Sequence, residues 1–131
     1  MKLHELDVHL SNCFALAEFE RIDASWNGVQ IECSDKDIRR VAFAVDAAAE
    51  TVARAAGWNA DLLFVHHGLF WGRAQRVTGI HYRRLQSFLA HDIGLYAVHL
   101  PLDAHETLGN NAVMAAKLGL ANRRPFGDYK G

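Results

Sequence analysis

Two adjacent histidines, His66 and His67, close a run of apolar residues (Leu62, Leu63, Phe64, Val65), and a third, His99, closes another such run, with Asp103 four residues on. Imidazole and carboxylate are the usual donors to divalent transition metals. Successive side chains on an extended backbone point to opposite faces, so neighbouring histidines within a strand are poorly placed to chelate one ion. At a strand end, where Gly68 frees the backbone, the two rings reach points a few ångströms apart. That suits two neighbouring ions, each taking one imidazole, with a carboxylate such as Asp103 bridging them and reducing their repulsion. Metal pairs of this kind sit ~3.5–4 Å apart and activate water for hydrolysis. The competing reading is a pair of hydrogen-bonded loop histidines. His99 is open to three roles: ligand, partner that holds a ligand's orientation, or proton shuttle; the orienting role is favoured. His105 and Glu106 read as solvated loop residues. Phe70 and Trp71 either wall a pocket or fill core.

These residues need a scaffold that brings them together, and the apolar pattern supplies one. Residues 41–45, 62–65 and 95–98 are short, continuously apolar runs. Such runs are what strands covered on both faces look like. Helix-forming stretches over 47–56, 81–92 and 111–118 separate or follow them, with Gly57, Gly94 and Gly119 as expected stops. The alternation predicts βαβ units and a mainly parallel sheet with helices on its faces, an α/β fold. An amphipathic helix is expected over 2–20, and a short strand over 29–31 after an Asn-Gly turn signal at Asn27-Gly28. In open parallel sheets, ligands gather beyond the carboxyl ends of the strands. Those ends are Asp46, His66-His67 and His99, with Asp103 just beyond. His4, His9, His81 and His91 fall within expected helices instead.

The chain has 131 residues, one domain's worth. Half of them are apolar and 22% are charged, and the net charge is −1. Near-neutrality gives no broad attraction for nucleic acid or anionic lipid, and the Arg doublets at 39–40, 83–84 and 123–124 read as solvated surface. No apolar run reaches the ~20 residues of a membrane helix, and Glu5 and Asp7 interrupt any signal-peptide core. Cys13 and Cys33 match no zinc or redox spacing and read as reduced thiols of a cytoplasmic protein. No GxGxxG, P-loop, GxSxG or HExxH is present.

The stretch LLFVHHGLFWG at 62–72, together with LYAVHLPLDAHETLGNN at 95–111, resembles the Nif-three-like dinuclear-metal proteins, often labelled GTP cyclohydrolase 1 type 2 homologues. SWNGVQI at 25–31 and the strand ending in Asp46 resemble the family's opening. The resemblance implies an α/β fold, a ring-like homo-hexamer and two divalent ions facing an internal cavity. Zinc, manganese, iron, nickel and cobalt all suit such donors. By motif, His66 and His67 would each ligate one ion and Asp103 would be the carboxylate ligand, with His99 and Asp46 supporting. Members of the family are about twice as long, and a His and a Glu near their C-terminus complete the site. Residues 1–131 therefore read as the N-terminal α/β portion, with the C-terminal half absent and the tail at 124–130 resembling the crossing point between halves. Metal binding by three protein ligands is expected to be weak.

Three functions are weighed. The leading one is a metal-dependent hydrolase in which metal-activated water attacks a nucleotide-like or phosphorylated small molecule. A non-catalytic oligomeric metal-binding scaffold is the second. An inactive α/β fragment with an uncovered sheet edge or helix face is the third.

Overall fold

The computed structural model describes residues 1–124 and Phe126; most of the expected crossing segment at 124–130 lies outside the described residues. A four-stranded sheet has the order β1-β4-β3-β2, with β1 Gly28–Ile31, β2 Val41–Asp46, β3 Leu62–His67 and β4 Gly94–Ala97. β2, β3 and β4 are parallel, as the alternating pattern predicts, and β1 joins β4 antiparallel. The connections are α3 (Ala49–Gly57) between β2 and β3, and α4 (Gly79–Ala90) between β3 and β4. Before the sheet come α1 (Leu3–Cys13) and α2 (Leu16–Phe19); after it come α5 (Leu100–Ala104) and α6 (Asn110–Lys117).

Two apolar layers sandwich the sheet. On one face, Val52 and Ala55 of α3 and Phe88 of α4 pack on Leu63, Val65, Leu95 and Ala97. On the other, Leu3, Leu6 and Leu10 of α1, with Phe14 and Leu16, pack on Leu62, Tyr96 and Val98. Removing a side chain the size of Phe88 from water contributes about 1.5–3 kcal/mol. Full coverage is limited to the middle of the sheet: every residue of β4 is buried, whereas Phe43 and Val45 of β2 are 75% and 60% exposed. The run at 41–45 is therefore not covered on both faces, contrary to its sequence. β2 is an edge strand, and α1 lies over β1 at the opposite side.

The helix expected over 2–20 is two helices. Phe14 is buried, and Ala15 takes the left-handed conformation (φ 49°), which no continuous α-helix accommodates. Gly57 is the last helical residue of α3 rather than the residue beyond it; the left-handed position falls to Asn59 (φ 55°). Asp92 (φ 53°) does the same after α4, so Gly94 opens β4 instead of ending the helix. Gly119 (φ 69°) follows α6 as expected.

Candidate metal centre

The parallel register places Asp46 directly beside His67 across β2 and β3. β4 ends one strand over, and Val98 N–H donates to the Val65 carbonyl at 3.0 Å, keeping the chain alongside β3 as far as His99. The residues that follow turn at once into α5, with Pro101 in its first turn, where proline's fixed φ and missing N–H cost nothing. This short helix swings Asp103 back over the end of β3. Sequence reading leaves that turn as plain loop, because five helical residues carry too little periodicity to detect.

His66, His67 and His99 converge. Each offers a ring nitrogen within 4.8 Å of those of the other two, and the His66 ring centroid lies 4.6 Å from that of His67 and 4.9 Å from that of His99. Adjacent strand residues meet here because they end the strand. Gly68 allows the arrangement, though not through an unusual φ: a Cβ at this position would overlap the side-chain amide of Gln30. Gln30 Oε1 accepts from Leu69 N–H at 2.7 Å and Phe70 N–H at 3.1 Å, and its Nε2 donates to the Trp26 carbonyl at 2.7 Å. One side chain of β1 thus fixes the loop that follows the histidine pair.

Each ring is held at Nδ1. His66 Nδ1–H donates to the Val98 carbonyl at 3.0 Å, His67 Nδ1–H to Asp46 Oδ1 at 2.8 Å, and His99 Nδ1–H to Asp23 Oδ1 at 2.9 Å. All three partners are acceptors only, so Nδ1 carries the proton and a neutral ring keeps its lone pair on Nε2. This carboxylate-or-carbonyl support is the arrangement that orients metal-binding imidazoles. Asp103 Oδ2 stands 3.6 Å from His66 Nε2. A divalent cation between these two electron-pair donors would be stabilised by both. Three imidazoles of the type that divalent metals prefer therefore meet at one rim, with the Asp103 carboxylate against His66, and this donor set fits such an ion.

Asp23 is the functional residue that sequence reading missed. Its side chain is 1% exposed, and its Oδ2 accepts from Asn27 Nδ2 at 2.8 Å and Leu100 N–H at 3.0 Å, while Oδ1 also takes Ser25 N–H at 2.9 Å. Burial pushes the Asp23 carboxyl up, but the donors from Asn27, His99, Ser25 and Leu100 together outweigh it and hold the group below its ordinary value. Asn27 in turn accepts His99 N–H at 2.7 Å. The Asp23-x-Ser25-x-Asn27 spacing, in which short polar side chains bond nearby backbone, was the available signal.

Trp71 forms one wall. Its ring lies edge-on to His99 at 4.9 Å and 6.2 Å from His67, and its Nε1 donates to the Gly68 carbonyl at 2.9 Å. Phe70 points away and stacks on Trp26 at 5.8 Å. His105 stays outside: its Nδ1 accepts from Leu108 N–H at 3.1 Å, and its ring meets Phe14 edge-on at 5.4 Å. Cys13 and Cys33 are both free, and burial pushes the Cys33 thiol up.

A family model, Duf34/NIF3 (NGG1p interacting factor 3), matches residues 1–131. The chain belongs to the DUF34/NIF3 family. A GTP cyclohydrolase 1 type 2 homolog of Treponema pallidum is 50% identical over 131 residues, which is 100% of this chain and 46% of that protein. One of Deinococcus radiodurans is 51% identical over 120 residues, 88% of this chain and 45% of that protein. Among solved structures, TTHA1606 from Thermus thermophilus superposes with a TM-score of 0.91 at 43% identity, covering 96% of this chain and 51% of that one. Reduced HcgD from Methanocaldococcus jannaschii superposes with a TM-score of 0.82 at 29% identity, covering 98% of this chain and 51% of that one. The chain spans about half the length of the curated relatives it matches. Its mixed α/β sheet is thus a NIF3-family fold, and among the described residues no helix is long and apolar enough to cross a membrane.

Proposed function

We propose that His66, His67 and Asp103 hold divalent metal at the carboxyl rim of the sheet, with His99 beside them, and that the protein acts as a metal-dependent hydrolase of a nucleotide-like or phosphorylated small molecule. The observation that carries this reading is the opposed pair His66 Nε2 and Asp103 Oδ2, 3.6 Å apart, with the Nδ1 of every ring in the cluster already bonded. A pair of ions remains the expectation drawn from the family resemblance; the convergence of the three rings gives at least one ion a set of imidazole donors. A divalent ion so placed supplies a Lewis acid that polarises a carbonyl or phosphoryl oxygen and makes water acidic near neutral pH. The chain's own residues do the positioning. Asp46 and Asp23 keep the protons of His67 and His99 on Nδ1, so that both rings present Nε2 to the rim. The Val98 carbonyl does the same for His66 without adding charge. Trp71 stands against the rings of His67 and His99 and walls that side of the cluster. The names of the relatives, GTP cyclohydrolase 1 type 2 homolog, support a nucleotide-like substrate.

The test is hydrolysis of a panel of nucleotides and phosphoesters by protein loaded in turn with zinc, manganese, iron, nickel and cobalt. Turnover that tracks metal occupancy and disappears in His66→Ala is the expected result. A metal-loaded protein inert toward the whole panel would instead assign the centre to a non-catalytic scaffold.

A further inference from the structure

Residues 62–91 contain no Asp or Glu, yet hold Arg73, Arg76, Arg83 and Arg84 and four of the eight histidines. The remainder of the chain is correspondingly acidic, since the whole carries −1. Among the described residues, none of these four arginine side chains makes a hydrogen bond or an ion pair. By contrast, Lys2, Lys36, Arg39 and Arg54 each pair with a carboxylate. Arg73, Arg76 and Arg83 are exposed, and water suffices for them. Arg84 differs. Its Nε is shut off from solvent and has no partner, and so is Nε2 of His81, a residue only 9% exposed. Ser25 Oγ is the third side-chain atom in that condition among the described residues.

His81 and Arg84 are three residues apart on α4, which puts them on one helix face. Phe88, fully buried in the core, lies a further four along the same face. The face therefore turns inward, toward the sheet. α4 runs back from the end of β3, so its first turns stand at the rim that carries the histidine cluster. The His81 ring meets Phe70 edge-on at 5.5 Å. Phe70 is chain neighbour to Trp71, which touches His67 and His99. Polar atoms without partners are costly inside a protein; Arg84 is half-buried, and of its guanidinium it is Nε that is shut off from solvent. The missing complement is an acceptor with negative charge, and a planar guanidinium beside an imidazole matches the oxygens of phosphate.

We propose that His81 and Arg84 form an anion subsite that takes the phosphate group of a small-molecule ligand, on the first turns of α4, beside Phe70 and at the same end of the sheet as the histidine cluster. The exposed Arg73, Arg76 and Arg83 enrich phosphate locally without contacting it. The subsite stands on the unpartnered donors alone. Its use in placing a substrate's phosphate while the reacting end lies at the histidine cluster rests on the hydrolase reading.

Calorimetric titration with inorganic phosphate tests the subsite, on the 131-residue chain in buffer with EDTA, so that no metal contributes. Wild type should bind one phosphate saturably. Arg84→Gln should weaken binding by about tenfold or more, the scale of a lost charge-assisted pair. Arg84→Lys, which keeps the charge but loses the planar fork, should fall between. His81→Gln gives a second, independent loss, and Arg83→Gln should leave the affinity within about twofold. Circular dichroism of each variant establishes that it folds. No saturable phosphate binding by wild type, or equal affinity in Arg84→Gln and Arg83→Gln, overturns the subsite and assigns these donors to water. Because the titration excludes metal, that failure is separate from any failure of the hydrolase reading, which metal occupancy and turnover decide.

Discussion

Asp23 and Gly68 support the candidate site without offering it a ligand. All four groups bonded to Asp23 are donors, so an amide in its place turns N–H atoms toward at least one of them. Asp23→Asn should lower stability by about 1–3 kcal/mol, the cost of leaving a buried donor unsatisfied. It should also weaken divalent-metal affinity by about 10–100-fold, as loss of an orienting partner does. Thermal denaturation and a metal titration check the two effects. Gly68→Ala drives a methyl into the Gln30 amide and frees the loop that follows the histidines. A loss of about 1–3 kcal/mol is expected, on the scale of overpacking a tight site. Restored stability in the double variant Gly68→Ala, Gln30→Ala would identify the clash as the cause. His66, His67, His99, Asp103 and Asp46 were legible in the sequence because polar residues at the ends of apolar runs are conspicuous. Asp23 and Gln30 were not. They come from segments that precede the parallel unit, and only β1, paired antiparallel across the sheet, brings them to the rim.

At the scale of elements, the parallel unit was readable from its alternation of apolar runs and helices. The errors lie where tertiary packing overrides local pattern: the break at Ala15, the covering of β2, and the turn of α5 that carries Asp103. A second set of contacts closes the amino ends of the strands. Asp92 accepts from Ser34 N–H at 2.7 Å and Ser34 Oγ–H at 2.5 Å, and Lys36 Nζ reaches both Asp92 and Asp61, at 3.2 and 3.6 Å. Asp61 also takes the N–H groups of Arg39 and Arg40. The Ser34 hydroxyl and N–H, aided by Lys36, hold the Asp92 carboxyl below its ordinary range. Burial pushes Asp61 up, but the Arg39 and Arg40 donors and Lys36 outweigh it. A carboxyl lower in the folded than in the unfolded chain stabilises the fold above the unfolded value and loses that contribution as pH falls through the folded one. The melting temperature should therefore decline from about pH 5 down to about pH 3. Asp92→Asn should start lower at neutral pH and decline less steeply; an unchanged slope would remove the clasp from the account.

For the whole molecule, the consequence is an unbalanced surface. Among the described residues β2 offers an unpaired edge, with Phe43 and Val45 exposed beside Phe64, whose ring lies 5.5 Å from that of Phe43. Such an edge is a template for association. Sedimentation velocity of the 131-residue chain should show concentration-dependent self-association, reduced in Phe43→Lys without loss of helical signal. A monomer at every concentration would show that the exposed face is tolerated in water. The candidate metal site draws its described residues from the ends of β3 and β4 and the first turn beyond them. Its most direct test is a divalent-metal titration of wild type, His66→Ala, Asp103→Asn and the control His91→Ala, whose ring is tied to Ser87 on the far end of α4. Wild type and His91→Ala should bind alike, and the two centre variants should lose at least about tenfold in affinity. Equal metal binding by all four proteins would contradict the centre.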